Sequence, residues 1–485
     1  MVKRSMSTER SRIWIGIVMI ILIGSTGFVF LQFSFNLLDT PEPDMILYNA
    51  EVITMENSPA QAEAIAIHNG SIIAVGGDTE ILAMRGPNTT VFDLGGNTIL
   101  PGFIDSHTHD FGDRYLTDIG DIDEVVNHLL ESGWTSVSEL FVNQDRLDEL
   151  QALDQQNRLR LHVNAYLPLS WQFERFGDWY KAYQPGQEFS SKLRIGGVKL
   201  FMDGSYVRPI HYFNASELKS LVQEAHDLGF QIAIHSVVDN STDVVLDVYE
   251  SVLDGESNDL YRHRIEHLVY LRDDQINRIS SLQILPSFQL SWFTSDWNQA
   301  GSFPLLEQNS HLVARWRDII ESGAPAIGST DYPWNQMDIR SVPKILSMAV
   351  TRMGVNGLTP TDWMMDQTLA IEQALRLLTI DAAYGTFQED IKGSIEVGKL
   401  ADLVVLSGNP LSVPASELAN LDVLMTMVEG VIEYESQAAT FLHTHNIDEF
   451  EQGKHFVTFE YLRHHLHEGF TKLYLGTATN RIKLG

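Results

Sequence analysis

Apolar residues run along this chain in two rhythms. From about residue 101 to 390, short continuous apolar runs alternate with stretches whose apolar positions recur every three or four residues. The first rhythm predicts strands at 133–140 (GWTSVSEL), 159–165 (LRLHVNA), 195–201 (IGGVKLF), 230–235 (FQIAIH), 262–267 (RHRIEH), 283–288 (QILPSF) and 325–330 (PAIGST). The second predicts helices over 122–132, 216–228, 241–252, 308–321, 340–351 and 370–378, with Ser216 capping the start of one. Strand–helix alternation of this length predicts βα units, most simply a parallel barrel of the α/β class. Residues 45–100 alternate over shorter runs (MILYNAEVITM, AEAIAIHNGSIIAVG, TTVFDLGGNTILPGF), punctuated by Gly70, Gly76, Gly77, Gly95 and Gly96. That predicts a small β unit. A like pattern returns at 401–408 and 423–434, and position alone leaves open whether the two β-rich pieces pair.

The amino terminus follows neither rhythm. Ile13 to Phe33 carries no charged residue. A helix of that length crosses about 30 Å of hydrocarbon. Lys3, Arg4, Arg10 and Arg12 precede it, which favours an inside amino terminus and an outside body. The run is longer than the apolar part of a cleaved signal, about 7–15 residues, and no clean small-x-small site follows. The sequence therefore predicts a cytoplasmic basic stub over 1–12, a transmembrane anchor over 13–33 and an extracytoplasmic body at the cell membrane, with a cleaved signal as the alternative. TPEPD at 40–44 reads as a short stiff spacer.

Composition narrows the function. The 485 residues amount to roughly three domain-equivalents, enough to bury a large core without a metal or disulfide to hold it. Cysteine is absent, which excludes a disulfide scaffold, a zinc ribbon, an iron–sulfur cluster and a cysteine nucleophile. With 33 basic against 64 acidic residues the net charge is −31, a field that repels nucleic acid. The segment 436–485 holds His443, His445, His455, His464, His465 and His467 at irregular spacing. It reads as an appendage of unknown role rather than a metal site.

The strongest local signal is NTILPGFIDSHTHD at 97–110. On an extended segment His107 and His109 point the same way, so two imidazoles can reach one metal from one strand end. Two surface histidines are the plain alternative, but the apolar run before them argues for a buried strand. Lys199 lies inside the apolar strand GGVKLF, where an unpaired ammonium is costly. A buried salt bridge with Asp203 is its structural explanation. His235 ends FQIAIH, His267 ends RHRIEH and Asp331 follows APAIGST. Taken singly, each is more easily a packing or capping residue. Together they repeat one rule, polar residues at the carboxyl ends of barrel strands, where barrel enzymes place their sites. Such a set suits a borderline divalent metal such as zinc.

PGFIDSHTH, VKLFMDGS, AIHSVVDNSTDVVLDVYE, HRIEH, GSTDYP and GSIEVGKLADLVVLSGNP occur in that order. In them, residues 45–435 resemble the amidohydrolase superfamily, and within it the amidohydrolase 3 branch that includes N-substituted formamide deformylase-like proteins. The resemblance implies a distorted (β/α)8 barrel over 101–390. It implies a β-sandwich built from both chain ends, 45–100 with 391–435. It implies that His107, His109, Lys199, His235, His267 and Asp331 bind one or two divalent ions, with Lys199 carboxylated in the two-ion case. Asp331 then also handles the proton of a metal-activated water. The expected reaction is hydrolysis of a carbon–nitrogen bond, an amide or N-acyl group but not a peptide, in a small molecule. A deaminase or cyclic-amide hydrolase, and a catalytically silent metal-binding ectodomain, stay open as alternatives, as does a homo-oligomer.

Departures from the branch pattern fall on the substrate side. Val238-Asp239-Asn240 stands where relatives carry Gly-Asp-Arg, Gln289-Leu290-Ser291-Trp292 lacks a histidine common there, and Asp110 occupies an apolar position. Asp203, Tyr206 and Arg208 are candidates to hold a substrate carbonyl or carboxylate. Trp292 and Trp334 are candidates for an apolar wall. Glu266, beside His267, is a candidate to orient a neighbour rather than to bind metal.

Overall fold

In the computed structural model, which describes residues 41–56, 62–117, 119–205, 208–292, 303–334, 340–353, 362–439 and 441–444, eight strands form one parallel sheet. They are β1 (Phe103–Thr108), β2 (Trp134–Glu139), β3 (His162–Pro168), β4 (Leu193–Phe201), β5 (Ile232–Ser236), β6 (Arg264–His267), β7 (Leu285–Gln289) and β8 (Ile327–Ser329), paired in sequence order. Their residues are almost all buried, as expected of parallel strands covered on both faces. One face of the sheet carries Val137, Val163, Ala165, Leu167, Ile232, Ile234 and Ile265 into the main apolar core. The opposite face is polar. Arg264 on β6 reaches Ser106 on β1, Tyr166 on β3 and Ser287 on β7 across the barrel interior.

Helices cover the outside: α1 (Ile122–Glu131), α2 (Gln144–Gln155), α3 (Ala215–Asp227), α4 (Asp239–Leu253), α5 (Asp273–Leu282), α6 (Trp316–Glu321), α7 (Val342–Thr351) and α8 (Ile371–Leu377). The helix expected to start at Ser216 is capped by Asn214 instead. The Asn214 side chain accepts from the Glu217 N–H at 3.0 Å, and the Glu217 carboxylate accepts from the Asn214 N–H at 3.0 Å. The single helix expected over 308–321 is two pieces. A 3₁₀ turn, Ser310–Leu312, ends before Ala314, whose φ of 44° no helix accommodates, and α6 follows. After β3 the connection is a hairpin, Ser170–Trp171 with Glu174–Arg175, and a 3₁₀ turn.

No ladder joins β8 to β1. The Asp105 carboxylate bridges that seam, accepting from the Thr330 N–H at 3.0 Å and the Thr330 hydroxyl at 2.6 Å. The Asp331 N–H donates to the His107 carbonyl at 2.8 Å, and the His109 N–H to the Tyr332 carbonyl at 2.7 Å. The barrel is therefore nearly closed, and its seam fastens the segment after β8 to the HxH segment of β1.

Two five-stranded sheets lie outside the barrel. One runs 442–444, Thr90–Asp93, Met45–Tyr48, Ala64–His68 and Ser71–Gly76 in spatial order. The other runs Glu51–Val52, Thr98–Pro101, Leu403–Leu406, Val423–Val428 and Val431–Glu435. Leu47, Ile65 and Phe92 from the first pack with Ile99, Leu403, Val405, Met425 and Met427 from the second. Strands from the two ends of the sequence thus pair, Leu403–Leu406 antiparallel to Thr98–Pro101. Gly102 carries the chain from that sheet into β1, so close to Thr135 that a Cβ would lie 2.2 Å from its hydroxyl.

One expectation is corrected. The chain divides into Met1–Thr40 and Pro41–Gly485, and the stub 1–12 and the span 13–33 lie outside the described residues. Among the described residues no helix is long and apolar enough to cross a membrane. The architecture is the barrel with its added sheets, and the transmembrane helix, the membrane as a partner and the cell-membrane location are withdrawn. Of the segment 436–485, residues 442–444 form an edge strand against Thr90–Asp93, while residues 445–485 lie outside the described residues.

Candidate active site

Three side chains converge at the carboxyl end of the barrel. His107 comes from β1, His267 ends β6 and Asp331 follows β8, and all three are buried. One ligand atom from each lies within 4.8 Å of the others. Two of the three sit in the left-handed backbone region, His267 at φ 82° and Asp331 at φ 58°. Such non-glycine conformations cost about 1–3 kcal/mol each and persist where the surrounding structure imposes them. Here the imposed turn aims each side chain into the mouth. His107 Nε2 stands 3.2 Å from Asp331 Oδ1. Burial alone would raise the Asp331 carboxyl, but the imidazoles of His107, His109 and His267 hold it well below the usual carboxylate range. Burial lowers both His107 and His267, so both rings are neutral, the form that binds metal.

Glu266 fixes the first of these rings. Its carboxylate accepts from His107 Nδ1 at 2.7 Å, leaving Nε2 free to face the cluster. Arg264 holds Glu266 in turn, donating from Nε at 2.5 Å and from a terminal nitrogen at 2.8 Å. Burial opposes ionisation of Glu266, yet Arg264 and His107 keep it well below the ordinary range. Both Glu266 oxygens are thereby taken up by His107 and Arg264.

The other expected ligands lie close by but outside this group of three. His109 Nε2 is 3.3 Å from His107 Nε2 and 3.4 Å from Asp331 Oδ1. His235 donates from Nε2 to the Gly204 carbonyl at 2.7 Å, and its ring centroid is 4.4 Å from that of His267. Lys199 is fully buried, its Nζ has no hydrogen-bond partner and lies 4.9 Å from the Phe201 ring. Burial lowers it to about 8, while Glu266 and Asp331 pull the other way. The salt bridge to Asp203 is not made. Asp203 instead accepts the N–H groups of Val237 and Val238 at 3.0 Å and anchors the entry to α4.

On the substrate side, Trp292 stacks on His267 with centroids 4.9 Å apart at 12°. Trp334 is half exposed and donates from its indole to Asp113 at 2.8 Å. Tyr206 and the Arg208 side chain lie outside the described residues.

Two imidazole nitrogens and one carboxylate oxygen, with no thiolate, form a donor set that fits one divalent ion. His267 Nδ1 and Lys199 Nζ are buried polar atoms left without a protein partner beside it. A family model described as amidohydrolase family matches residues 117–434, well over half of the chain. The chain belongs to the amidohydrolase family. This amidohydrolase is similar to the N-substituted formamide deformylase of Arthrobacter pascens, 24% identical over 81% of this chain and 98% of that one. It is similar to the imidazolonepropionase of Symbiobacterium thermophilum, 24% identical over 75% of this chain and 91% of that one. Its fold is similar to that of an uncharacterized metal-dependent hydrolase from Pyrococcus horikoshii. The TM-score is 0.65 at 22% identity, covering 77% of this chain and 99% of that one.

Sequence reasoning missed two supports of this amidohydrolase site. Glu139, ending β2, accepts the N–H groups of Phe111 at 3.2 Å and Gly112 at 2.8 Å and pins the loop after β1. Burial, with Asp110 nearby, pushes its carboxyl well up. Arg340 pairs with Asp110 at 3.0 Å, both buried, and lies 3.7 Å from the centre of the Tyr332 ring. It thereby clamps the loop carrying His109 to the loop carrying Asp331. Asp110 at an apolar position of the family pattern was the available signal, whereas nothing in the sequence marked Arg340. Replacing Arg340 with Met strands a buried carboxylate, and a loss of about 3–5 kcal/mol in urea denaturation is expected. Adding Asp110→Leu should recover much of it.

Proposed function

We propose that this amidohydrolase uses a zinc ion held by His107, His267 and Asp331 to hydrolyse the carbon–nitrogen bond of a small-molecule amide or N-acyl compound, not a peptide. The observation that carries the reading is the buried His107/His267/Asp331 cluster, with Glu266 locked onto the far side of His107. A bound divalent ion supplies Lewis acidity and lowers the pKa of water toward neutrality. The chain does the rest. Glu266 fixes the tautomer and tilt of His107. Asp331, kept ionised at neutral pH, takes a proton from the attacking water at its carboxylate and passes it to the leaving nitrogen. Trp292 on His267 shields one side of the reacting bond from bulk water. His109 and His235 stand close enough to complete a ligand set once their rings turn.

Lys199 supports a further element of the reading, a carbamate. Its buried amine has no hydrogen-bond partner, and its lowered value of about 8 makes the neutral form, which reacts with carbon dioxide, easier to reach; the product is an anionic oxygen donor among imidazoles. Native mass spectrometry should find the mass of one carbon dioxide on the wild type and none on Lys199→Ala. An unmodified wild type would remove the carbamate and leave the three-residue cluster as the whole proposal.

A cyclic amide is the second substrate reading, favoured by the likeness to the imidazolonepropionase over most of both chains. The deciding assay is amine release from linear amides, N-substituted formamides included, beside ring opening of cyclic amides, each with zinc and after metal stripping. Metal-dependent release from a linear substrate supports the first reading, and ring opening alone supports the second. Turnover unaffected by stripping contradicts both.

A further inference from the structure

Four aromatic rings meet edge to face on the rim of the barrel mouth, on the side made by β2, β3 and β4. Phe141 follows β2, Trp171 and Phe176 belong to the connection after β3, and Phe201 ends β4. The Phe141 centroid lies 5.6 Å from Trp171, 5.8 Å from Phe176 and 6.2 Å from Phe201, and Trp171 lies 4.8 Å from Phe201. The inner end of this wall reaches the candidate active site, with Phe201 5.1 Å from the His235 ring and 4.9 Å from Lys199 Nζ. Its outer end is open. Trp171 is 38% exposed. A single exposed aromatic residue is ordinary. An exposed ring packed into a cluster that continues to the reacting groups is a surface built to be covered by the ligand that reacts there.

Strand order decides which end of the substrate covers it. β8, which leads to Asp331, is four strands from β4 and three from β3 in the eight-stranded ring, so Asp331 faces the Trp171 and Phe201 end of the wall across the mouth, while Phe141, after β2, lies at its near edge. In amide hydrolysis, water adds its oxygen to the carbonyl carbon, the carbon–nitrogen bond breaks and the nitrogen leaves with an added proton. Asp331 delivers that proton, so the nitrogen end faces β8 and the acyl end faces β3 and β4. We infer that the substrate carries an aromatic ring on its acyl side, seated on Trp171 and Phe201. This rests on the carbon–nitrogen hydrolase reading above.

The test compares kcat/KM for three amides that differ in where a phenyl ring sits: N-methyl phenylacetamide, N-benzylacetamide and N-methylacetamide. Wild type, Trp171→Ala and Trp171→Phe are used as zinc-loaded full-length chains. Calorimetric titrations with phenylacetate and with acetate run beside them. The acyl-phenyl amide should be preferred over N-methylacetamide by roughly tenfold or more, a preference that Trp171→Ala erases and Trp171→Phe keeps. Phenylacetate should bind more tightly than acetate in the same proportion. Equal rates for the acyl-phenyl and methyl amides, a preference for the N-benzyl compound, or a preference untouched by Trp171→Ala would overturn the inference. If no amide turns over, the titrations decide. Phenylacetate binding weakened by Trp171→Ala upholds the aromatic site while the hydrolase reading fails, and equal binding of the two acids overturns the site.

Discussion

Asp331→Asn is expected to lower turnover by roughly 10²–10⁴-fold, the usual contribution of a positioned acid–base group. The substitution keeps the size of the side chain and one acceptor oxygen. It removes the ability to take a proton, and with it the anion that His107, His109 and His267 stabilise. The left-handed backbone at position 331 tolerates Asn well, so folding should survive. Metal content should fall less than turnover, because the two imidazoles remain. Steady-state kinetics beside a melting curve check this. Near-normal turnover at full metal occupancy would return Asp331 to a purely structural part, fastening the seam between β8 and β1.

Glu266→Gln should act on stability and metal together. The carboxylate faces two guanidinium nitrogens of Arg264 and one nitrogen of His107, all fully buried. Neutralising it strands the Arg264 charge, at a cost of about 3–5 kcal/mol. It also frees His107 to rotate, and loss of such an orienting partner costs about 10–100-fold in metal affinity. The double variant Arg264→Met, Glu266→Gln separates the two effects. Chemical denaturation should show much of the stability restored, while a zinc titration should show the affinity still low. Recovery of both would mean that Glu266 matters only as the partner of Arg264.

The parts of this fold legible in the sequence are those set by local pattern. The seven apolar runs mark β2 to β8 because a parallel barrel strand is buried on both faces and leaves a continuous signature. α2 and α5 were not expected. α2 carries little apolar periodicity, burying Leu147, Leu150 and Leu153 among polar residues, and α5 is amphipathic but short of apolar residues, of which it buries only Ile276 and Ile279. The break at Ala314 is a tertiary decision, since its N–H donates to the Val269 carbonyl in another segment.

The site shows the same division. His107, His267 and Asp331 stood out as polar residues after apolar strands, yet nothing local says which strand ends meet. The contact between His107 and Glu266 spans 159 positions, and the Asp110–Arg340 clamp joins two loops on either side of the seam. Asp203 was a candidate to hold a substrate carbonyl or carboxylate, beside Tyr206 and Arg208. Its carboxylate is used by the Val237 and Val238 amides, a hydrogen-bonding need that only the folded turn creates. The amino-terminal span was legible only as length and lack of charge; it lies outside the described residues, among which no helix is long and apolar enough to cross a membrane.

The central claim is that His107, His267 and Asp331 jointly hold a divalent ion. Equilibrium dialysis of the metal-stripped full-length chain against zinc, with bound metal counted per chain, tests it most directly. At least one tightly held ion is predicted for the wild type, with that ion lost from His267→Ala while the variant still melts cooperatively. A folded wild type that retains no zinc, or a His267→Ala variant that binds as much as the wild type, would contradict it.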